Sequence, residues 1–275
     1  MKKKLVVFSG AGISAESGLD TFRDDGGIWA NYDINDVATP EAWLKNPNLV
    51  LDFYNVRRKI ASDANPNIAH KEIAKLEDIL EVTVITQNID NLHERGGSSN
   101  VIHLHGEVDK VRSTGTDQVY TQGVDPLLFG DVCPNGHQLR PHIVWFGEQV
   151  PNLTIAEKVI SEADFLIVTG TSLNVYPAAG LIHAASDSAP KYLVDPSDNI
   201  KISKIENEIV RETLKFCNFI DPIYINSISD LPSSSGLGSS SAFTVGLLKG
   251  IYSLMNIKKN NIQLAEEACE IEIKK

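Results

Sequence analysis

Cysteine is scarce: three residues, at 133, 217 and 269, in a chain of 275. They are too few and too scattered for a disulfide framework, and they suit a reducing cytoplasm. Long apolar runs are missing as well. None approaches the ~20 residues that cross a bilayer, so no membrane partner is expected. The N-terminus, MKKKLVVFSG, carries the charge of a signal peptide, but its apolar part is only Leu5 to Phe8 and runs straight into glycine. It reads as a first strand. Positive charge is the scarcer sign, with 25 Lys and Arg against 36 Asp and Glu and a net charge of −11. That balance argues against a broad nucleic-acid surface but leaves a lysine-rich peptide open as a target. No internal repeat is found.

What is present suits a globular protein of one large domain or two modest ones, with 42% hydrophobic residues. Short apolar or β-branched runs at Leu5–Phe8, Val82–Thr86, Phe165–Thr169 and Tyr192–Val194 alternate with helical patterns at Pro40–Ser62, Ile68–Leu80 and Ile155–Ala163. Alternation of this kind predicts an α/β fold, a Rossmann-like parallel sheet wrapped by helices. Residues 109–140 are rich in Gly, Thr, Asp and Gln and predict a small inserted module. Past Asp195 the composition shifts. Residues 223–232 read as a strand, SSSGLGSSSAF leads into a long apolar helix, and a further helix starts near Asn261. An amphipathic helix is expected over Ile205–Phe219.

The most informative block is GAGISAESGLDTFRDDGGIWANY, residues 10–32, directly after the first strand. A strand, a glycine-rich turn and a helix start together offer backbone N–H groups and a positive helix end to a pyrophosphate. Thr86-Gln87-Asn88-Ile89-Asp90 follows another strand, and ligands of open α/β sheets bind beyond strand carboxyl ends. Asn88 and Asp90 therefore point to the same crevice; the plainer alternative is that they cap the next helix. Val101-Ile102-His103-Leu104-His105-Gly106 sends two histidines to one face of an extended segment. A histidine pair suggests metal binding, but no third ligand lies nearby in sequence, and general-base work or a structural role remain open. Arg140–Glu148 is an apolar strand ending in a glycine turn, with Trp145 and Phe146 expected in the core. Gly170-Thr171-Ser172 closes another strand at the same edge.

Together GAGISAESGLDTFR, GGIW, TQNIDNLHERGG, LHGEV, LRPHIVWFGE, GTSLNVYPAAG and YLVDP resemble the sirtuins, NAD-dependent protein-lysine deacylases, in family order from residue 5 to about 196. The resemblance implies that Gly10, Ala11, Gly12, Ile13, Ser14, Glu16, Ser17, Thr21, Phe22, Arg23 and Trp29 hold the NAD pyrophosphate and cover the nicotinamide pocket. It also implies that Gln87, Asn88, Ile89 and Asp90 surround ribose and carboxamide, and that Gly170, Thr171 and Ser172 hold the adenosine side. His105 matches the family's base, acting with Asn88 and Asp90. In the family mechanism the acyl-lysine oxygen attacks the ribose carbon as nicotinamide departs, and the base takes a proton from a ribose hydroxyl. The products are free lysine, nicotinamide and O-acyl-ADP-ribose. Val144, Phe146, Gly147, Glu148 and Val175 belong to the two loops that hold the peptide as an added strand. Tyr54 and Arg57 share a helix face. They resemble the Tyr-x-x-Arg of the class III branch, whose substrates are succinyl- and malonyl-lysine; the plainer alternative is a solvated face, since Arg58 and Lys59 follow.

Two departures stand out. Sirtuins commonly hold a structural zinc with two Cys-x-x-Cys pairs. Here Val111-Arg112-Ser113-Thr114 occupies the first position, and only Cys133, with His137 beyond it, remains of the second. No zinc is expected. From about residue 200, SISDLPSSSGLGSSSAFTVGLLKGIYSL and LAEEACEIEI resemble sugar kinases of the GHMP family, especially heptose-phosphate kinases. The expected organisation is a sirtuin-like domain over 1–199 and a partial kinase-like β-α segment over 200–275. In the kinases the GLGSSSA loop cradles ATP phosphates, which makes Gly236–Ser241 a weaker candidate ATP site; the kinase's substrate half is missing. Three rival readings remain: a weak or inactive NAD-binding module with an association-prone tail, an NAD hydrolase, and an ATP-binding kinase fragment.

Overall fold

The computed structural model describes residues 2–21, 32–194, 205, 207–219 and 239–273. The chain divides into two compact units, Met1–Asp195 and Pro196–Lys275. In the first, five parallel strands form one sheet: β1 (Lys4–Ser9), β2 (Glu81–Thr86), β3 (Val101–His103), β7 (Phe165–Thr169) and β8 (Lys191–Val194). Their order is β3-β2-β1-β7-β8. β1 is a continuous apolar run because both its faces are covered. Val6 and Phe8 pack with Leu166 and Ile160 on one face, while Leu5 and Val7 pack with Val82 and Val84 on the other. The order reverses between β1 and β7, which opens a crevice at their carboxyl ends. The edge strand β8 exposes Tyr192, Leu193 and Val194 by about half.

The inserted module is a separate antiparallel sheet, with β4 (Gly106–Ser113) between β5 (Val119–Thr121) and β6 (Leu139–Ile143). The helical run from Pro40 is not one helix. After the short α1 (Ile34–Val37), it forms α2 (Pro40–Lys45) and α3 (Pro47–Asp63). Pro47 has no N–H and disfavours helical backbone at Asn46, so the chain stops and restarts there. Asn46 then caps α3, accepting from Leu49 N at 3.2 Å. α4 (Ile68–Lys75) tightens into a 3-10 turn at Leu76–Asp78 instead of reaching Leu80 as a regular helix. α5 (Leu92–Gly96) follows the Asp90 loop, and α6 (Leu153–Ser161) starts and ends two residues before the expected bounds.

The second unit contains α7 (Glu208–Phe216), α8 (Ser239–Leu254) and α9 (Asn261–Ile273). They bury Leu214, Leu248, Ile251, Leu264 and Ile271 against one another. The strand expected over 223–232 and residues 236–238 of the GLGSSSA loop lie outside the described residues, while Ser239 to Ala242 open α8.

Candidate active site

Two glycine turns interlock at the switch point. Gly10 N donates to Thr169 O at 3.2 Å and Gly12 N to Gly170 O at 2.8 Å. These two amides are therefore paired with the end of β7 and its turn. The glycines serve close approach. A Cβ on Gly12 would lie 2.9 Å from Gly170 Cα, and one on Gly170, whose φ is +61°, would lie 2.2 Å from Ile13 N. Ala11–Ser17 forms a 3-10 turn rather than an α-helix, with Ile13 and Ser14 buried and Glu16 exposed. Ser17 Oγ is buried without a hydrogen-bond partner. Phe22, Arg23 and Trp29 lie outside the described residues.

The loop after β2 converges on that turn. Ser14 Oγ donates to Asp90 Oδ2 at 3.1 Å, Asn88 Nδ2 donates to Ser14 Oγ at 3.0 Å, and Gln87 Nε2 donates to Thr171 Oγ1 at 2.9 Å. Asp90 also accepts from Leu92 N, at the first position of α5, at 3.0 Å through its other oxygen, so it meets the helix start and the cavity at once. Burial pushes its carboxyl up, against the Leu92 and Ser14 hydrogen bonds and the His103 charge. A cavity lined by Ala11, Ser14, Asn88, Asp90 and Arg57 joins these elements.

Strand alternation puts both histidines on this loop. His105 Nδ1 lies 3.0 Å from Gln87 O, and His103 Nδ1 lies 3.0 Å from Asn88 O. A carbonyl only accepts, so each Nδ1 carries the proton. The neutral His105 ring thus keeps its lone pair at Nε2, and burial holds its pKa below the ordinary imidazole value despite the Gln87 bond. Such a ring can accept a proton at Nε2.

On α3 the two candidate acyl-binding residues diverge. Arg57 lines the cavity, stacks 4.5 Å from the Phe53 ring and leaves a buried Nε without a partner. Burial pulls its pKa down to about 10, against the pull of Tyr54, Asp20 and Tyr32. Tyr54 sits in the core beside Trp145, and burial raises its phenol. Arg58, adjacent to Arg57, is no surface cation. It is 1% exposed, and its Nε donates to Val108 O at 2.9 Å. In the peptide-side loops, Val144 N donates to His105 O at 3.0 Å and Phe146 N to Ala38 O at 3.0 Å. Trp145 is buried as expected, but Phe146 is half exposed rather than in the core. Gly147 adopts φ +90°. Glu148 is engaged inside its own loop, accepting from Arg140 at 2.7 Å and from Trp145 N at 2.8 Å. Val175 is half-buried, and its carbonyl accepts from Ala179 N at 2.8 Å.

Sequence reasoning passed over the layer beneath. His93 Nε2 lies 2.9 Å from Ser9 Oγ, which donates to Thr86 Oγ1 at 2.9 Å; Thr86 Oγ1 in turn accepts from Asn88 N at 3.1 Å. His70 packs edge-on against His93 at 4.9 Å. Asn67 caps α4 and donates to Ile13 O at 2.7 Å, tying the glycine turn to that helix. The only available signal was a histidine inside each short helical pattern. Burial pulls His70 down to about 4 and His93, helped by His70, down to about 3. In the unfolded chain both would titrate near 6.5. The unfolded state therefore takes up protons first as pH falls, so stability is complete above about 6.5 and drains away towards about 4 for His70 and about 3 for His93. Down to pH 4.5 each histidine should remove at most about 1.4 kcal/mol per pH unit. Urea midpoints measured from pH 7.5 to 4.5 test this, and a flat profile between 6.5 and 4.5 overturns it.

In the inserted module Cys133 is buried and lies 3.4 Å from Ser113 Oγ, which also accepts from Gly115 N at 3.2 Å. The Cys133–Ser113 contact ties the Cys133 turn to the end of β4. Cys217 and Cys269 belong to the second unit. Metal analysis of the purified chain is expected to return no stoichiometric zinc; one zinc per chain would refute this.

Of the candidate ATP loop, only Ser241 has a described side chain, and its Oγ lies 2.9 Å from Glu272 Oε2. A carboxylate there opposes phosphate binding.

A parallel sheet with interlocked glycine turns, an acid–amide–hydroxyl cluster and a buried imidazole at its switch point defines an α/β protein built for a nucleotide. The Sir2 family model matches residues 10–177, and the chain belongs to the Sir2 family. It is 51% identical over 200 residues to an NAD-dependent protein deacylase of Bacteroides thetaiotaomicron, covering 70% of this chain and 86% of that one. It is 52% identical over 194 residues to one of Helicobacter pylori, covering 70% and 83%. Among solved structures, a Sir2 homolog–NAD complex aligns at TM-score 0.64 and 40% identity, covering 70% of this chain and 77% of the other. A Sir2 protein with a deacetylated p53 peptide and 3'-O-acetyl ADP ribose aligns at TM-score 0.60 and 36% identity, covering 70% and 81%. Residues 203–275 match a second model, the GHMP kinases N-terminal domain.

Proposed function

We propose that this chain is an NAD-dependent protein-lysine deacylase that favours succinyl and malonyl groups over acetyl. The observation carrying the acyl preference is the Arg57 guanidinium, which lines the cavity beside Asn88 and Asp90 with a buried, unpartnered Nε. Among the described residues no carboxylate pairs with it. Asp20 lines the same cavity without a salt bridge to Arg57, and a carboxylate on the acyl group would suit the guanidinium as a hydrogen-bonded partner.

The donor set suits NAD. Ser14, Asn88 and Asp90 supply hydroxyl, amide and carboxylate at one end of the cavity, and Ser17 holds a buried, unpartnered hydroxyl. Gly10–Arg23, Trp29, Gln87–Asp90 and Gly170–Ser172 would hold the cofactor. NAD supplies an electrophilic ribose carbon once nicotinamide leaves. Asp90, as a carboxylate, would stabilise the positive charge developing there. His105 Nε2 takes a proton from a hydroxyl delivered to it, its Nδ1–H anchored on Gln87 O. Val144–Glu148 and Val175 flank an extended peptide, and acylated proteins are the substrates. The deacylase domain spans 1–199 and works in the cytoplasm; the segment over 200–275 is a partial kinase-like appendage.

Purified full-length chain, NAD and a succinyl-lysine peptide test the reading, with mass spectrometry as readout. Free-lysine peptide and O-succinyl-ADP-ribose are expected. Nicotinamide release with an unchanged peptide would indicate NAD hydrolysis instead, and no turnover would leave only a binding module.

A further inference from the structure

We propose that His103, charged and bridged between Glu94 and the Asn88 carbonyl, is a positioning residue that holds the Gln87–Asp90 loop in its reactive shape. This rests on the deacylase reading for its kinetic consequence, but not for its geometry.

His103 ends β3, in register with Thr86 at the end of β2. Its ring is 7% exposed. Nδ1 lies 3.0 Å from Asn88 O, while Nε2 lies 2.8 Å from Glu94 Oε1. Both partners are acceptors, so satisfying both requires both ring protons, which only the imidazolium has. His105, two residues on, faces one carbonyl, Gln87 O, and stays neutral. The two imidazoles thus grip consecutive carbonyls of one loop in opposite charge states. The loop between them and Ser14 carries both Asn88 and Asp90.

The groups around His103 agree with this assignment. From α5, Glu94 and His93 face it; from β4, Glu107 and Lys110 line the same cavity wall; from the loop, Asp90 faces it; α6 and its cap present the uncharged Asn152 and Ile155. Lys110 is paired with Glu107 at 2.6 Å, which leaves Glu94 as the main counter-charge. Burial opposes the His103 charge, but Glu94, Asn88 O and Glu107 outweigh it and raise the pKa above the ordinary value. The same positive charge favours the ionised form of Asp90, the form that stabilises a cationic transition state. Charge on His103 is needed, so activity that depends on it declines as pH rises through its raised pKa. The neutral His105 sets the opposite limb, at low pH.

The test combines ring nitrogen NMR with pH–rate profiles on wild type, Glu94→Gln and His103→Gln full-length protein. In wild type His103 should titrate above 6.5, and the Ile89 amide, bonded to the Asn88 carbonyl carbon, should titrate with it. Glu94→Gln should lower that pKa and shift the alkaline limb of kcat/KM to lower pH while the acid limb stays. His103→Gln should abolish the alkaline limb and cut kcat about ten- to a hundredfold, with KM for the acyl peptide little changed. A His103 ring that titrates below 6.5, an Ile89 amide blind to it, or a Glu94→Gln profile that superposes on wild type overturns the proposal. The NMR outcome stands even if wild type shows no deacylation, which would defeat the deacylase reading alone.

Discussion

His105→Ala is expected to lower kcat for deacylation about a thousandfold while leaving NAD binding nearly intact. The magnitude is that of a removed general base. The reason is geometric: Nδ1 is committed to Gln87 O, so Nε2 is the ring's only remaining proton acceptor. NAD affinity should survive because Ser14, Asn88 and Asp90 bond to one another and not to His105. Burial depresses the His105 pKa, so the neutral, reactive form persists to pH values below the ordinary 6.5. Activity is then lost only as pH falls through that lowered value. Single-turnover rates from pH 5 to 8 check both points. A variant that keeps wild-type chemistry, or an acid limb centred well above 6.5, would contradict the assignment.

Arg57→Met should reduce kcat/KM for a succinyl-lysine peptide about a hundredfold and alter that for the acetyl-lysine peptide only slightly. A hydrogen-bonded charge pair contributes about 1.5–3 kcal/mol, and a factor of ten corresponds to about 1.4 kcal/mol. Methionine keeps an unbranched apolar stem of similar length and removes the guanidinium together with its stacking on Phe53. Arg57→Lys should fall between, since an ammonium keeps the charge without the planar fork. Paired measurements on both peptides decide it: equal losses would mean that Arg57 supports the helix or the cofactor and does not read the acyl group.

Much of the architecture was legible because parallel strands buried on both faces appear as uninterrupted apolar runs. Leu5–Phe8 and Phe165–Thr169 lie within or coincide with their strands. The helix break at Asn46 was also written in the chain, in Pro47, yet the apolar periodicity running across it masked the break. Arg58 was misleading for another reason. A cation beside Arg57 and Lys59 looks solvated, and its burial is made tolerable by acceptors the local pattern does not show: the Val108 and Asp125 carbonyls from distant segments and the Asn55 side chain one turn back. The role of the glycines shifted similarly. A glycine-rich turn signals either exposed amides or close backbone approach, and the β7 turn selects the second for Gly10 and Gly12.

The order of residues along the chain was enough to determine the Sir2 family, the parallel sheet, the crevice at its carboxyl edge and the identity of the candidate base. These follow from local patterns: apolar runs, turn chemistry and motif spacing. Tertiary structure alone decided which acceptors the two histidine rings face, that Arg57 rather than Tyr54 lines the cavity, and that a buried His70–His93 pair underlies the loop. Each of those depends on acceptors and low-dielectric surroundings brought from distant segments, and a polar group's charge state is set by such neighbours rather than by its place in the sequence.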